Sequence, residues 1–452
     1  MARMKTRRYF GTDGVRGVAG EHPMTASFAF RLGMAAAQVL HSEGKEAPKV
    51  VVGMDTRRSA SMLAHALVAG LTSRGATAVW LGVMPTPGVS YLTKTLDADA
   101  GIVVSASHNP YYDNGIKFFN DQGEKLADDA ELAIEQLLDD GDESYGTVSH
   151  ESVGTSYRYR RDDGDYLQFL LANAPYLDGL KVALDCANGA ASSLAPQVYK
   201  QIGARLDVLN AVPDGLNINV ECGSTHPGAL QERVRTQELE VGVAFDGDAD
   251  RALLVDATGR LVTGDHIMAI TAVVRGEKEI VATTMTNLGV EKWLNDQGIT
   301  VHRENVGDRY VFEGLKRRGL TLGGEQSGHV LFLDKAPTGD GILTSLQLLA
   351  AVRKSRRPLT SWMDDIPVFP QLIHNVRVPA GLKGEIAGAQ PIRAAVDAAT
   401  ARLGGDGRVN VRASGTEPLV RVMVEGPDRR ELEDIAATIE GHIQELSAAK
   451  PA

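Results

Sequence analysis

"KVVVGMDTRRSASMLAHALVAGLTSRGATAVWLG", residues 49–82, runs from an apolar strand through a polar turn and an amphipathic helix to a glycine and a second strand. The same order recurs in "KVALDCANGAASSLAPQVYKQIGARLDVL" (181–209) and "EIVATTMTNLGVEKWLNDQGITVHRE" (279–304). Each reads as a βαβ unit, so three related α/β domains are expected. Their spacing is too uneven for a solenoid. The last segment is built differently. "GRVNVRASGTEPLVRVMVEG" (407–426) alternates apolar and polar residues about a turn, the pattern of two antiparallel strands, and residues 429–449 set Leu432, Ile435, Ile439, Ile443 and Leu446 at helical spacing. The expected fold class is α/β: three βαβ-type mixed-sheet domains and a C-terminal α+β domain. Polar breaks near 156–166, after 246–256 and at 363–372 divide the chain into 1–155, 156–256, 257–368 and 369–452.

A chain of 452 residues exceeds one hydrophobic core, in keeping with several domains. Its 58 acidic against 47 basic residues, a formal net charge of −11, argue against nonspecific nucleic-acid binding. Cys186 and Cys222 supply neither a disulfide framework nor a paired zinc motif and suit a reducing cytosol. The basic N-terminus is followed by Gly11 and Asp13 rather than an apolar signal core, and no apolar run reaches the ~18–20 residues of a membrane helix. A cytoplasmic protein without a membrane partner is the expectation.

Four polar stretches carry chemistry. In "SASHNPYYDNGIKFF" (105–119), Ser107 stands beside an imidazole and Lys117 among apolar neighbours. Neighbouring side chains on an extended chain point apart and no Gly-x-Ser-x-Gly elbow occurs, which disfavours a Ser-His hydrolase pair and leaves Ser107 open between a turn residue and another role. In "VGVAFDGDADRALLVD" (241–256), Asp246, Asp248 and Asp250 follow an apolar strand with only Gly247 and Ala249 between them. Converging carboxylates call for a cation, and an all-oxygen set favours Mg²⁺. An EF-hand starting at Asp246 fails, with Arg251 where Gly and Ala257 where Glu are required. A haloacid-dehalogenase-like enzyme with Asp246 as nucleophile wants Thr or Val where Asp250 stands, and survives only as a weaker alternative. In "LGGEQSGHVLF" (322–332), Glu325 and Ser327 offer an acceptor and a hydroxyl suited to a sugar, and His329 titrates near neutral pH. Around "VRASGTEPLVRV" (411–422), Ser414, Gly415 and Thr416 lie between Arg412 and Arg421, a phosphate cradle. "FGTDGVRG" (10–17) adds Arg16 on a glycine-rich loop that matches neither a dinucleotide fingerprint nor a P-loop.

In this order and at these separations the motifs resemble those of the α-D-phosphohexomutases, from residue 10 to the C-terminal helix. The resemblance implies four domains about one cleft and a phosphorylated Ser107. One Mg²⁺ would be held by that phosphoserine with Asp246, Asp248 and Asp250. It further implies Lys117 and His329 in proton transfer or charge stabilisation, Arg16 and Arg251 near the transferring phosphoryl group, Glu325 and Ser327 on sugar hydroxyls, and Arg412, Ser414, Gly415, Thr416 and Arg421 on the non-reacting phosphate. A 1,6-bisphosphate, here glucosamine 1,6-bisphosphate or a similar sugar, would be intermediate and activator. The partners would be a small phosphosugar and, in a homodimer, a second copy of the chain. Gln326, where the phosphomannomutase/phosphoglucomutase branch has Met, and "VGDRY" (306–310), where that branch has a Thr-Gly-His element, point to the glucosamine branch. Exchange of glucosamine 6-phosphate and 1-phosphate, upstream of UDP-N-acetylglucosamine and cell-wall precursors, is then expected. The phosphomannomutase/phosphoglucomutase activity is the alternative. Asp308 is expected near the substrate's 2-ammonium, with a loop-capping Asp as the competing reading.

Overall fold

The computed structural model describes residues 7–449 apart from Thr12, 141–147, 160–163 and 415–417. Gly415 and Thr416 of the expected phosphate cradle therefore lie outside the described residues. One compact unit comprises the described residues among 1–284 and 302–362, and a second those among 285–301 and 363–452.

The first unit holds three sheets. In the first, β1 (Val15–Val18), β2 (Lys49–Met54), β3 (Thr77–Val83), β4 (Ala100–Val104), β5 (Asp113–Phe119) and β6 (Ser156–Arg158) lie in the order β1-β5-β4-β2-β3-β6. β2 runs parallel to β3 and β4, and its Val50, Val51 and Val52 are fully buried, as an apolar run in a sheet covered on both faces requires. β5 turns back antiparallel to β4, setting Lys117 opposite Val103. β6 falls after the expected boundary at 155, yet it pairs with β3 and completes this sheet.

The second sheet orders β7 (Lys181–Asp185), β8 (Arg205–Leu209), β9 (Val241–Phe245), β10 (Ala252–Asp256) and β11 (Leu261–Val262) as β11-β10-β9-β7-β8. β11 likewise lies beyond the expected boundary at 256 and pairs back onto β10. In the third sheet β12 (Glu279–Thr283) is parallel to β14 (Leu322–Gly324), β14 is antiparallel to β15 (Val330–Phe332), and β13 (Thr300–Glu304) forms the edge.

The second unit is the α+β segment. β16 (Gln371–Arg377), β17 (Arg408–Ala413) and β18 (Leu419–Glu425) form an antiparallel sheet in the order β16-β18-β17. The helix Arg429–Ala448 packs Leu432, Ile435, Ile439 and Ile443 into its core with Leu446 at the margin, the stripe read from the sequence. The buried carboxylate of Glu425 accepts from Leu288 N at 3.0 Å and from Arg408 Nε, tying the helix Leu288–Asp296 to this unit.

No described helix is long and apolar enough to cross a membrane. Cys186 and Cys222 are buried and free. Helices Ala26–Ser42 and Ala60–Ser73 touch at Gly70, where a Cβ would stand 2.0 Å from the Phe30 carbonyl oxygen. Gly70→Ala should therefore lower the melting temperature, by overpacking worth roughly 1–3 kcal/mol, although alanine is the better helix former. A thermal melt at or above wild type would contradict this close contact.

Candidate active site

The chain leaves β4 at Val104 and reaches Ser107, a non-glycine residue in the left-handed region at φ +53°. Ser107 is 2% exposed, and its Oγ donates to Asp246 Oδ2 at 2.5 Å. Ser105, the other hydroxyl of the motif, donates to Asp55 Oδ2 at 2.7 Å and accepts from Ser107 N at 3.0 Å, so it supports the loop from within. His108 Nδ1 is 3.3 Å from Ser107 Oγ. Burial, with Arg251 and Arg16 nearby, lowers the His108 pKa to about 4, which leaves the ring neutral at pH 7.

The acidic loop follows β9 directly. Asp246, Asp248 and Asp250 each present a carboxylate oxygen within 4.8 Å of the others, and all three are buried. The small spacer is a packing requirement. A Cβ at Gly247 would lie 2.6 Å from the Ser107 carbonyl oxygen and 2.8 Å from Asn219 Nδ2, so only glycine lets the acidic loop close on the serine loop. Asp248 is fixed by Thr86, which donates Oγ1 to its Oδ2 at 2.6 Å and its backbone N–H to the Asp248 carbonyl at 3.0 Å. Asp248 Oδ1 and Asp250 Oδ1 are buried and take no hydrogen bond among the described residues. Bare carboxylate oxygens in an all-oxygen donor set fit a hard divalent cation.

Cations surround this loop. Lys117 is buried, with Nζ 2.9 Å from Asp248, 3.1 Å from Asp13 and 3.8 Å from Asp250. Burial opposes its charge, but these carboxylates outweigh burial and hold the ammonium above the usual lysine range. His329 Nδ1 lies 3.6 Å from Asp250 and Nε2 3.7 Å from Asp308. Burial works against its protonation, and Asp250, Asp308 and Glu325 override it, raising the pKa to about 9. Burial pushes the Asp246 carboxyl well up, with Asp250 and Asp248 adding to the effect. Asp250 is held low despite burial by His329, Lys117 and Arg251. Arg251 Nε is 3.7 Å from Asp250, and Arg16 donates to Asp13 at 2.5 Å.

The loop that carries Glu325, Ser327 and His329 meets the same cluster. Glu325 Oε1 accepts from Gly307 N at 3.0 Å, and Ser327 Oγ is buried without a hydrogen-bond partner among the described residues. Asp308 pairs with Lys125 at 2.5 Å, and Lys125 also reaches Asp13 at 2.6 Å. The position expected to meet a substrate ammonium thus already faces a cation of the chain. Asp13, Asp55, Arg57, Thr86, Lys125 and Asn219 were not singled out from the sequence. In the second unit Arg412 lies directly opposite Arg421 across β17 and β18, Arg421 donates to Asn375 Oδ1 at 2.9 Å, and Lys383 donates to the Ser414 carbonyl at 2.7 Å.

Removing Lys117 would leave Asp248 and Asp250 without their ammonium, and breaking a buried pair costs ~3–5 kcal/mol. Lys117→Met should melt lower than wild type in EDTA and gain a larger upward shift from Mg²⁺, since a ligand of the folded state stabilises by mass action. A Mg²⁺ shift equal to that of wild type would contradict this balance.

The whole chain can be compared with known proteins. Residues 7–145, 165–259 and 263–369 match the alpha/beta/alpha domains I, II and III of phosphoglucomutase/phosphomannomutase, and residues 374–442 match its C-terminal domain. The chain is similar to a phosphoglucosamine mutase of Deinococcus deserti, 52% identical over 441 residues, covering 98% of this chain and 99% of that one. A crystal structure of a phosphoglucomutase/phosphomannomutase family protein from Burkholderia thailandensis superimposes with a TM-score of 0.81 at 26% identity, covering 98% of both chains. Aspergillus fumigatus N-acetylphosphoglucosamine mutase, solved with GlcNAc-6P and magnesium, shares the fold with a TM-score of 0.67 at 17% identity, covering 98% of this chain and 96% of that one. With all four domains matched and half of its residues identical to a full-length relative, the chain belongs to the phosphoglucomutase/phosphomannomutase family of α-D-phosphohexomutases, enzymes that isomerise phosphosugars by phosphotransfer.

Proposed function

We propose that the chain interconverts glucosamine 6-phosphate and glucosamine 1-phosphate through a phosphoserine at Ser107 and a glucosamine 1,6-bisphosphate intermediate. The hydrogen bond from Ser107 Oγ to Asp246, inside a three-carboxylate cluster ringed by buried cations, is the observation that carries this reading. The sugar assignment is supported by the similarity to phosphoglucosamine mutases and by Gln326 in the sugar loop. The product would feed UDP-N-acetylglucosamine and cell-wall precursor synthesis.

In the forward sense the Oγ–P bond of phosphoserine breaks as a sugar hydroxyl oxygen bonds to phosphorus, and the hydroxyl proton ends on the departing Ser107 Oγ, giving the bisphosphate and free serine. After the sugar turns over, its other phosphoryl group returns to Ser107. Asp246, Asp248 and Asp250, with an oxygen on Ser107, would hold Mg²⁺, which supplies charge neutralisation at the phosphoryl oxygens. Lys117 and His329 are protonated at neutral pH, so they act first as cations beside the developing charge. Arg16 and Arg251 extend that positive wall, and Glu325 and Ser327 orient the sugar hydroxyls.

Asp308, through its exchangeable pairing with Lys125, is assigned to the 2-ammonium. Arg412, Ser414 and Arg421, with Gly415 and Thr416, are assigned to the non-reacting phosphate. Directly opposed like charges such as Arg412 and Arg421 are unfavourable without an anion. Glucosamine 1,6-bisphosphate as activator, a homodimer and cytoplasmic residence belong to the same proposal. So does the four-segment division, with its first two boundaries moved past β6 and β11.

Incubation with glucosamine 1,6-bisphosphate should add one phosphoryl mass on the Ser107 peptide, stable to hydroxylamine, and support isomerisation that Ser107→Ala abolishes. A hydroxylamine-labile acyl phosphate on Asp246 would overturn the reading. Asp308→Asn should narrow the preference for glucosamine 6-phosphate over glucose 6-phosphate by roughly tenfold, the loss of about one charge-assisted hydrogen bond. An unchanged ratio would remove Asp308 from sugar selection.

A further inference from the structure

We propose that Arg57, together with Asn219, is a positioning residue for phosphoryl transfer, fixing the backbone of Ser107 in the left-handed conformation that aims its hydroxyl at the carboxylate cluster. The inference rests on the reading of Ser107 as the phosphoryl carrier.

The Arg57 side chain is completely buried, yet it sits beneath a loop rather than within an apolar core. Its Nη2 donates to the carbonyls of Ser107 at 2.7 Å and Asn109 at 2.9 Å. Nη1 donates to the carbonyls of Asp113 at 3.1 Å and Pro110. Nε donates to Asp55 Oδ2 at 2.8 Å. A guanidinium has five N–H donors in a rigid planar fork, and all five are used here, four of them on the loop that carries Ser107. A lysine could not reproduce that pattern.

Asp55 closes the arrangement from the other side of Ser107. The same Oδ2 accepts from Ser105 Oγ at 2.7 Å, and Ser105 Oγ accepts from Ser107 N at 3.0 Å. Both backbone polar groups of Ser107 thus lead back to one buried ion pair. Asn219, held at φ +60° on a loop that follows β8, donates Nδ2 to the same two carbonyls, Ser107 at 2.9 Å and Asn109 at 3.1 Å.

The Ser107 carbonyl is gripped by two donors from loops of different sheets. A non-glycine residue at positive φ persists only where its surroundings over-determine it, and such residues gather at functional sites. A buried ion pair contributes little net stability relative to apolar packing, so stability alone does not account for this one. Neither Arg57 nor Asn219 bonds to the Ser107 hydroxyl. Their effect passes through the backbone, where a displacement of about 1 Å in the donor oxygen can cost on the order of 10²-fold in rate.

The test uses the full-length protein, dephosphorylated and supplied with Mg²⁺, with glucose 1,6-bisphosphate as phosphoryl donor and intact mass followed against time. Two variants are compared with wild type: Arg57→Lys, and Asn219→Gly, which keeps a positive φ accessible while deleting the amide donor. Each should slow phosphorylation of Ser107 and lower kcat by roughly 10–100-fold with KM for the sugar phosphate unchanged, and Asn219→Gly should stay folded with a modestly lowered melting temperature, since Arg57 still donates to both carbonyls that lose the amide. Wild-type transfer rates in both variants, or a raised KM with kcat intact, would overturn the positioning role. Should Arg57→Lys fail to fold, Asn219→Gly alone decides. A wild-type protein that takes no phosphate on Ser107 would instead refute the carrier reading, and this inference with it. Normal wild-type phosphorylation with unaffected variants refutes the clamp only.

Discussion

The repulsion among Asp246, Asp248 and Asp250, held within 4.8 Å of one another in a buried loop, is the constraint on which the rest of the site depends. Isolated ionised carboxylates do not stay charged in a low-dielectric interior unless cations face them. Lys117, Arg251 and protonated His329 supply that charge from three different segments, while Asp13 and Asp308 are matched in turn by Arg16 and Lys125. A phosphate on Ser107 would add ≈ −1.5 to −2 charges, about what one divalent cation cancels. The bare oxygens of Asp248 and Asp250 are where that cation would bind.

The same constraint explains the folding of the two loops. The acidic loop needs Gly247 because the Ser107 carbonyl passes where a side chain would begin, and the serine loop needs Arg57 and Asn219 because its left-handed turn leaves carbonyls to be satisfied indoors. The ends of β4 and β9 bring the hydroxyl and the carboxylates together, in agreement with ligand sites lying outside the carboxyl ends of strands in α/β sheets.

Much of this was legible in the sequence because the signals were local. Apolar runs such as Val50–Val52 and the Leu432–Ile443 stripe mark strands and helices by periodicity alone, and four short motifs singled out Ser107, Lys117, the three Asp and His329. What escaped depends on pairing across the fold. Asp13, Lys125 and Asp308 are ordinary charged residues until tertiary structure sets them side by side, and Thr86 acquires a role only because its helix, Thr86–Thr95, starts against Asp248. Arg57 was hidden for the same reason, since its partners are backbone carbonyls fifty residues away. Strands β6 and β11 lie past residues 155 and 256 and pair with the sheets before them, which a short strand does not reveal because it carries no mark of the sheet that it joins.

The most direct measurement is ³¹P NMR of the phosphorylated protein titrated with Mn²⁺ in place of Mg²⁺. If the phosphoserine at Ser107 and the three carboxylates share one cation, stoichiometric Mn²⁺ should broaden the phosphoserine resonance beyond detection, and Asp248→Asn should preserve a sharp line at the same Mn²⁺ concentration. A phosphoserine signal that stays sharp in the wild-type protein at stoichiometric Mn²⁺ would contradict the account.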